Sequence, residues 1–254
     1  MKRSRVLTML LGGLGIGLLA GCPQPSTPTP GETAKPATTT TSSGTIGVSL
    51  LTMANPFFKD IADSMEAEGK ASGYTVNVQA GELDPAKQKD QVNDFITKKV
   101  SAIVLSPVDS RSIGSAIKSA NAASIPVFTA DIACLDPTAK VVSHIATDNL
   151  GGGKLAGEAL VKALGGKGKI AIISHPEVES GMQRTKGFKE VVSKSPGMQI
   201  VAELAGKGER DTSFKVAQDI LQSNPDLVGI FAINDPSALG TVAGYRESGQ
   251  AGQD

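Results

Sequence analysis

Asn55, Pro56, Phe57 and Phe58 make up the stretch of this chain whose residue types point most directly to chemistry at a surface. The sequence has no Trp, two Tyr and seven Phe, so two adjacent Phe concentrate a scarce aromatic surface. They follow an apolar, strand-like run from Thr45 to Leu51. Pro56 fits the first position of a helix, where its missing N–H costs nothing. The segment therefore reads as a strand-to-helix turn at the carboxyl end of a strand, the edge where open α/β sheets bind ligands. An aromatic face beside an Asn amide suits a small polar molecule with apolar patches, such as a sugar. Phe58 also opens an apolar series with Ile61, Ala62 and Met65 at helical spacing. The expectation is Phe57 in the mouth of a site and Phe58 partly in the core.

Other polar residues fall at equivalent positions. Asp84, Ser106, Asp109, Asp131, Asp148, Glu177, Arg184, Arg210, Asn234 and Asp235 all sit in loops after strand-like runs. Convergence of such side chains at one edge describes a binding cleft rather than a catalytic triad. His144 and His175 are the only histidines, too few and too far apart in sequence for a His-based metal site. No metal and no cofactor are expected. Gly165 to Lys169 lacks the Ser/Thr of a phosphate loop and reads as a helix stop and turn.

The elements that must position these residues alternate regularly. Strand-like runs occupy 45–51, 75–80, 102–106, 127–130, 141–146, 169–174, 199–205 and 227–232. Helical stretches occupy 56–72, 85–98, 111–123, 149–164, 180–193, 210–223 and 237–248. Several strands are continuous apolar runs, as parallel strands buried on both faces require. The alternation predicts an α/β fold with doubly wound parallel sheets. The rhythm breaks between Asp131 and Lys140, and a second series starts after Thr147. Two Rossmann-like lobes follow, 45–146 and 147–254.

The start of the chain sets the compartment. Lys2, Arg3 and Arg5 precede an apolar run from Val6 to Ala20, too short to span a bilayer and fit for a signal-peptide core. It ends in Leu19-Ala20-Gly21-Cys22, which resembles a bacterial lipobox with Cys22 lipidated. Residues 23–44 are rich in Pro, Thr and Ser and form a tether, since they cannot bury enough surface to fold. The expectation is an extracytoplasmic body held to a membrane through Cys22. Cys134 then has no partner in the body, and reads as a buried thiol or one waiting for a partner elsewhere. Formal net charge is zero with scattered basic residues, which argues against nucleic acid.

With these residues in view, the body resembles the ribose-type periplasmic sugar-binding proteins of bacterial ABC importers. The stretches that carry the resemblance are 55–58, 106–110, 143–149 with 152–154, 184–188, and 231–235 with 238–240. The resemblance implies a periplasmic binding protein fold and a monomer that captures a sugar or polyol and delivers it to an ABC permease. It implies that Asn55 and Asn234 bond sugar hydroxyls and that Phe57 and Phe58 cover one sugar face. It makes Asp131 the carboxylate that accepts hydroxyl protons, and Arg184 the donor from the second lobe. Ser106 stands where that family usually has an Asn. His144, although inside a matching stretch, is expected to be a packed hinge residue and not a ligand.

Departures from the family pattern carry information. Ile132 stands where an Arg follows the carboxylate, and Gly208 lies where a second-lobe aromatic is expected. Ribose is therefore expected to bind weakly. Family members continue with further strands, so the chain is expected to be truncated at its carboxyl end. Three other readings compete: presentation of a ligand to a receptor or sensor, an effector domain of a lactose-repressor-type regulator, and an enzyme on the same fold. The regulator would need a helix-turn-helix where the signal and tether stand. The enzyme lacks a nucleophile–base pair, a metal cluster or a phosphate loop, and fold alone cannot supply one.

Overall fold

The computed structural model describes residues 43–249. The expected signal segment, the lipidated Cys22 and the tether up to residue 42 lie outside the described residues.

Strand β1 (Thr45–Leu50) leads into helix α1 (Pro56–Ala71), and β2 (Thr75–Ala80) into α2 (Pro85–Thr97). Then β3 (Ala102–Leu105), α3 (Gly114–Ala122), β4 (Val127–Ala130) and the two-residue β5 (His144–Ile145) complete the first sheet. Its order is β2-β1-β3-β4-β5, parallel throughout. After α4 (Asn149–Ala163) come β6 (Lys167–Ser174), α5 (Glu179–Val192), β7 (Gly197–Ala205), α6 (Arg210–Ser223), β8 (Leu227–Ala232) and α7 (Asp235–Glu247). The second sheet has the order β7-β6-β8, again parallel.

Both sheets are covered on both faces, and strand alternation shows why. In β6, Ile170 and Ile172 point into one core with Phe188, Val192 and Met198, while Ala171 and Ile173 join Ala217 and Ile220 on the other side. Phe188 and Phe231 stack in the first of these, with centroids 4.2 Å apart. In the first sheet, Val48, Leu50 and Phe58 belong to the core under α1. Phe95, Ile103, Leu105 and Ile117 form the core on the opposite face. Each fully buried Ile or Phe side chain contributes about 1.5–3 kcal/mol through burial of apolar surface.

Two expectations need correction. The run 141–146 yields a strand of only two residues, because β5 is a sheet edge with one partner, β4. His144 is exposed there rather than packed, and its Nδ1 lies 2.9 Å from Thr129 Oγ1. Cys134 is a free, half-buried thiol against the first-sheet core, and burial pushes its pKa up.

One segment ties the two sheets together. Val178, in the loop between β6 and α5, is buried in the first-sheet core with Leu50, Phe58 and Val108. Beside it, Ser110 N donates to Glu177 O at 3.0 Å, and Glu179 N donates to Ser110 Oγ at 2.8 Å. Ser110 is fully buried, so both bonds are shielded from water.

Candidate functional site

The carboxyl ends of β1, β4, β6 and β8 surround a cavity of about 210 Å³. Drug-sized ligands take pockets of roughly 300–1,000 Å³. The cavity therefore fits a molecule of monosaccharide size. Its walls come from both sheets: Leu51, Asn55, Phe57, Phe58, Asp131 and Ile132 from the first, and His175, Ser180, Arg184, Ile233, Asn234 and Asp235 among those from the second. Three helix N-termini, of α1, α5 and α7, open onto it. Their partial positive ends favour acceptor-rich or anionic groups nearby, and Asp131 and Asp235 stand there.

Six of the seven residues expected to bind ligand line this cavity. Ser106 does not. It is fully buried, and its Oγ donates to Ala130 O at 2.7 Å. That bond joins the end of β3 to the residue before Asp131, so Ser106 positions the carboxylate without facing the cavity. Gln88 completes the support, donating to Ser106 O at 3.0 Å and accepting from Val108 N at 2.8 Å.

Phe57 and Phe58 divide their work as expected. Phe58 is 3% exposed and belongs to the core, whereas Phe57 is 45% exposed at the mouth. Their rings meet edge to face at 5.3 Å and 76°, which fixes the angle of the Phe57 face.

Asn55 and Asn234 are helix N-caps. Asn55 Oδ1 accepts from Phe57 N at 3.1 Å, and Asn234 Oδ1 accepts from Ser237 N at 3.0 Å. Asn234 Nδ2 also donates to Gly208 O at 3.1 Å. Each amide keeps spare capacity, since the oxygen has a second lone pair and the nitrogen two hydrogens. The Asn55 Nδ2 has no acceptor among the described residues.

Asp131 is the least satisfied group at the site. It sits just past β4 at φ +63°, a left-handed conformation that Asp tolerates better than most residues. Its residue is 9% exposed, and no donor among the described residues bonds its carboxylate. Burial pushes its pKa above the usual value, although Arg184 and His144 nearby pull the other way. Asp131 and Arg184 are not within the 4.0 Å of an ion pair, so a gap separates the two charges.

Arg184 is held from behind. Its Nε donates to Asn149 Oδ1 and its Nη1 to Ile233 O, both at 2.8 Å. Nη2 makes no bond among the described residues, which leaves its N–H groups for the cavity. Asn149 is itself buried and donates to Thr147 O at 3.1 Å. Gly153 serves the same end: a Cβ there would stand 2.1 Å from Arg184 O, so only glycine lets α4 approach α5 this closely.

Sequence reasoning overlooks Asn149 and His175. His175 is 4% exposed, lines the cavity, and forms no hydrogen bond among the described residues. A lone histidine in a loop has no spacing signal that could have singled it out.

The comparisons with known proteins agree with this geometry. Residues 46–254 match the periplasmic binding protein domain family. A ribose import binding protein of Bacillus subtilis is 33% identical over 207 residues, covering 81% of this chain and 67% of that protein. A D-apiose import binding protein of Paraburkholderia graminis is 36% identical over 194 residues, 76% of this chain and 62% of its own length. Among solved structures, an ABC transporter periplasmic solute-binding protein from Actinobacillus succinogenes with bound D-allose superposes with a TM-score of 0.72 at 32% identity. That match covers 82% of this chain and 76% of the other. The chain thus spans about two thirds of the length of these curated relatives. With a family match over nearly the whole described body, the chain belongs to the periplasmic binding protein family.

Proposed function

We propose that this protein captures a monosaccharide or small polyol in the cleft between a first lobe, residues 45–146, and a second lobe, 147–254, and delivers it to an ABC permease. The observation that carries the reading is the pairing of an unsatisfied Asp131 carboxylate with the free Nη2 of Arg184 across a monosaccharide-sized cavity. Vicinal hydroxyls supply what each side lacks: protons for the carboxylate and oxygens for the guanidinium. Charge-assisted bonds of this kind are about twice as strong as neutral ones. Phe57 covers the apolar C–H face of the ring, and Asn55 Nδ2 adds a donor at its edge. The sugars named for the relatives, ribose, apiose and allose, support this class of ligand.

Ribose itself should bind weakly, because Ile132 and Gly208 supply neither a second cation nor a second aromatic wall. The basic start, apolar core and Cys22 support anchoring of the mature protein to a membrane through an acylated Cys22, with residues 23–44 as the spacer. Presentation of the loaded protein to a sensor uses the same cleft and differs only in the partner.

Calorimetric titration of the full chain with D-ribose, D-apiose, D-allose and myo-inositol tests the reading. We expect at least one of them to bind more tightly than ribose. Asp131→Ala should weaken that ligand by about 2 kcal/mol, roughly thirtyfold, through loss of a charged acceptor. Failure of every ligand to bind, or equal affinity in the variant, would overturn it.

A further inference from the structure

We infer that His175 contacts the ligand and sets its specificity: the imidazole bonds a hydroxyl on the side of the ligand turned away from Phe57, so the site selects neutral polyhydroxylated molecules with a hydroxyl there. This deepens the sugar-binding reading and rests on it.

The two walls of the cavity differ in kind. Both aromatic residues that line it, Phe57 and Phe58, come from the first sheet. On the second-sheet side stand His175, Ser180, Arg184 and Asn234. A ligand held here meets the Phe57 ring on one side and His175, Ser180, Arg184 and Asn234 on the other. Sugars differ from one another in which face carries their axial hydroxyls, so such a wall discriminates where a second aromatic would not.

His175 and Ser180 are the members of that wall whose side chains no hydrogen bond occupies among the described residues, and His175 is the larger of the two. Arg184 Nε and Nη1 are bound, and the Asn234 amide caps α7. His175 is 4% exposed, and among the described residues no hydrogen bond holds either ring nitrogen. Neither nitrogen is one of the fully buried atoms without a partner, so the ring keeps some exposure, and it lines the cavity. The Nε2 atom lies 3.7 Å from Glu177 Oε2, too far for a hydrogen bond, and that oxygen is itself buried without a partner.

Gly208 keeps the ring uncovered. It lies at φ +70°, a conformation that favours glycine, in the loop between β7 and α6. A Cβ there would come within 3.2 Å of His175 Nδ1 and 3.0 Å of Asn234 Nδ2. Any larger residue at 208 would crowd the ring and the Asn234 amide.

The charge state fits a hydroxyl. Burial lowers the His175 pKa, and Lys207 adds to that effect, against the pull of Glu177. The neutral ring has one donor and one acceptor nitrogen. A hydroxyl can meet either one, whereas a carboxylate or phosphate accepts only and would also face Asp131 and Asp235 across the cavity.

The experiment uses the full chain and the sugar that binds most tightly among D-ribose, D-apiose, D-allose and myo-inositol. His175→Phe should weaken that ligand about tenfold and narrow its advantage over the other three, while His175→Gln, which keeps a donor and an acceptor, should recover most of the loss. In ¹⁵N-labelled wild type, the imidazole nitrogens of His175 should shift on saturation with the same sugar, and those of exposed His144 should not. The ring readout stands even if His175→Phe fails to fold. Unmoved His175 resonances, or a His175→Phe protein with wild-type affinities across the panel, overturn the inference and leave the sugar-binding reading intact. Absence of binding by the wild type to all four molecules overturns both.

Discussion

Asp131 shows how a single residue exchanges stability for affinity. Its pKa is raised in the folded protein, so the folded state holds this proton more tightly than the unfolded chain does. The corresponding stability is present below the ordinary Asp value of 3.8 and is lost as pH rises through the raised folded value. At neutral pH the ligand-free protein therefore carries a destabilising charge. Asp131→Asn should raise the melting temperature of the ligand-free protein at pH 7 and weaken sugar binding, since Asn also tolerates positive φ. Differential scanning calorimetry and titration check the two halves separately; a lower melting temperature would count against the assignment. His175 behaves in the opposite sense. Its folded pKa lies below the ordinary 6.5, so its contribution to stability is complete above 6.5 and declines as pH falls toward the folded value. His175→Gln should flatten the loss of thermal stability between neutral and mildly acidic pH, measured by melting at a series of pH values.

At the scale of elements, the sequence is most informative where local chemistry dictates local structure. Asn55-Pro56, Asp84-Pro85 and Asn234-Asp235-Pro236 each place a capping side chain before a proline, and each begins a helix, the first two where the pattern predicts one and the third two residues earlier, at Asp235 rather than 237. Because Asn55 and Asn234 stand at strand ends, the same signal locates two corners of the cavity. The edge strand β5 is less legible, because its apolar run is set by neighbouring loops rather than by pairing on two sides. Ser106 misleads for a related reason: its position is right, but its hydroxyl is taken by Ala130 O across the sheet, a contact between residues 24 apart in the chain. The loop from His175 to Val178 is legible in neither role, since nothing local reveals that Val178 enters the core of the other sheet. Val178→Ala removes about two buried methyl groups and should destabilise the protein by about 1–2 kcal/mol, read as a shift in the urea midpoint. An unchanged midpoint would mean that this contact is dispensable.

For the molecule as a whole, the arrangement of two parallel sheets with a cleft at their strand ends is legible from alternation alone, while the contact between the sheets is not. Attachment to a membrane is a separate, testable property of the first residues: Cys22→Ala should move the protein from the membrane fraction to the soluble fraction of cells, and a wild type already soluble and uncleaved would contradict it. The contact of Val178 and Ser110 with the neighbouring sheet has a further consequence for the timing of capture. If the halves are already joined without ligand, little affinity is lost to closing them, because the competent state is the populated one. The sugar must then wait for the joint to part before it can enter. Loosening that joint with Val178→Ala should speed both association and dissociation in stopped-flow measurements, with dissociation quickened more, so that a protein made faster at loading also becomes a leakier carrier.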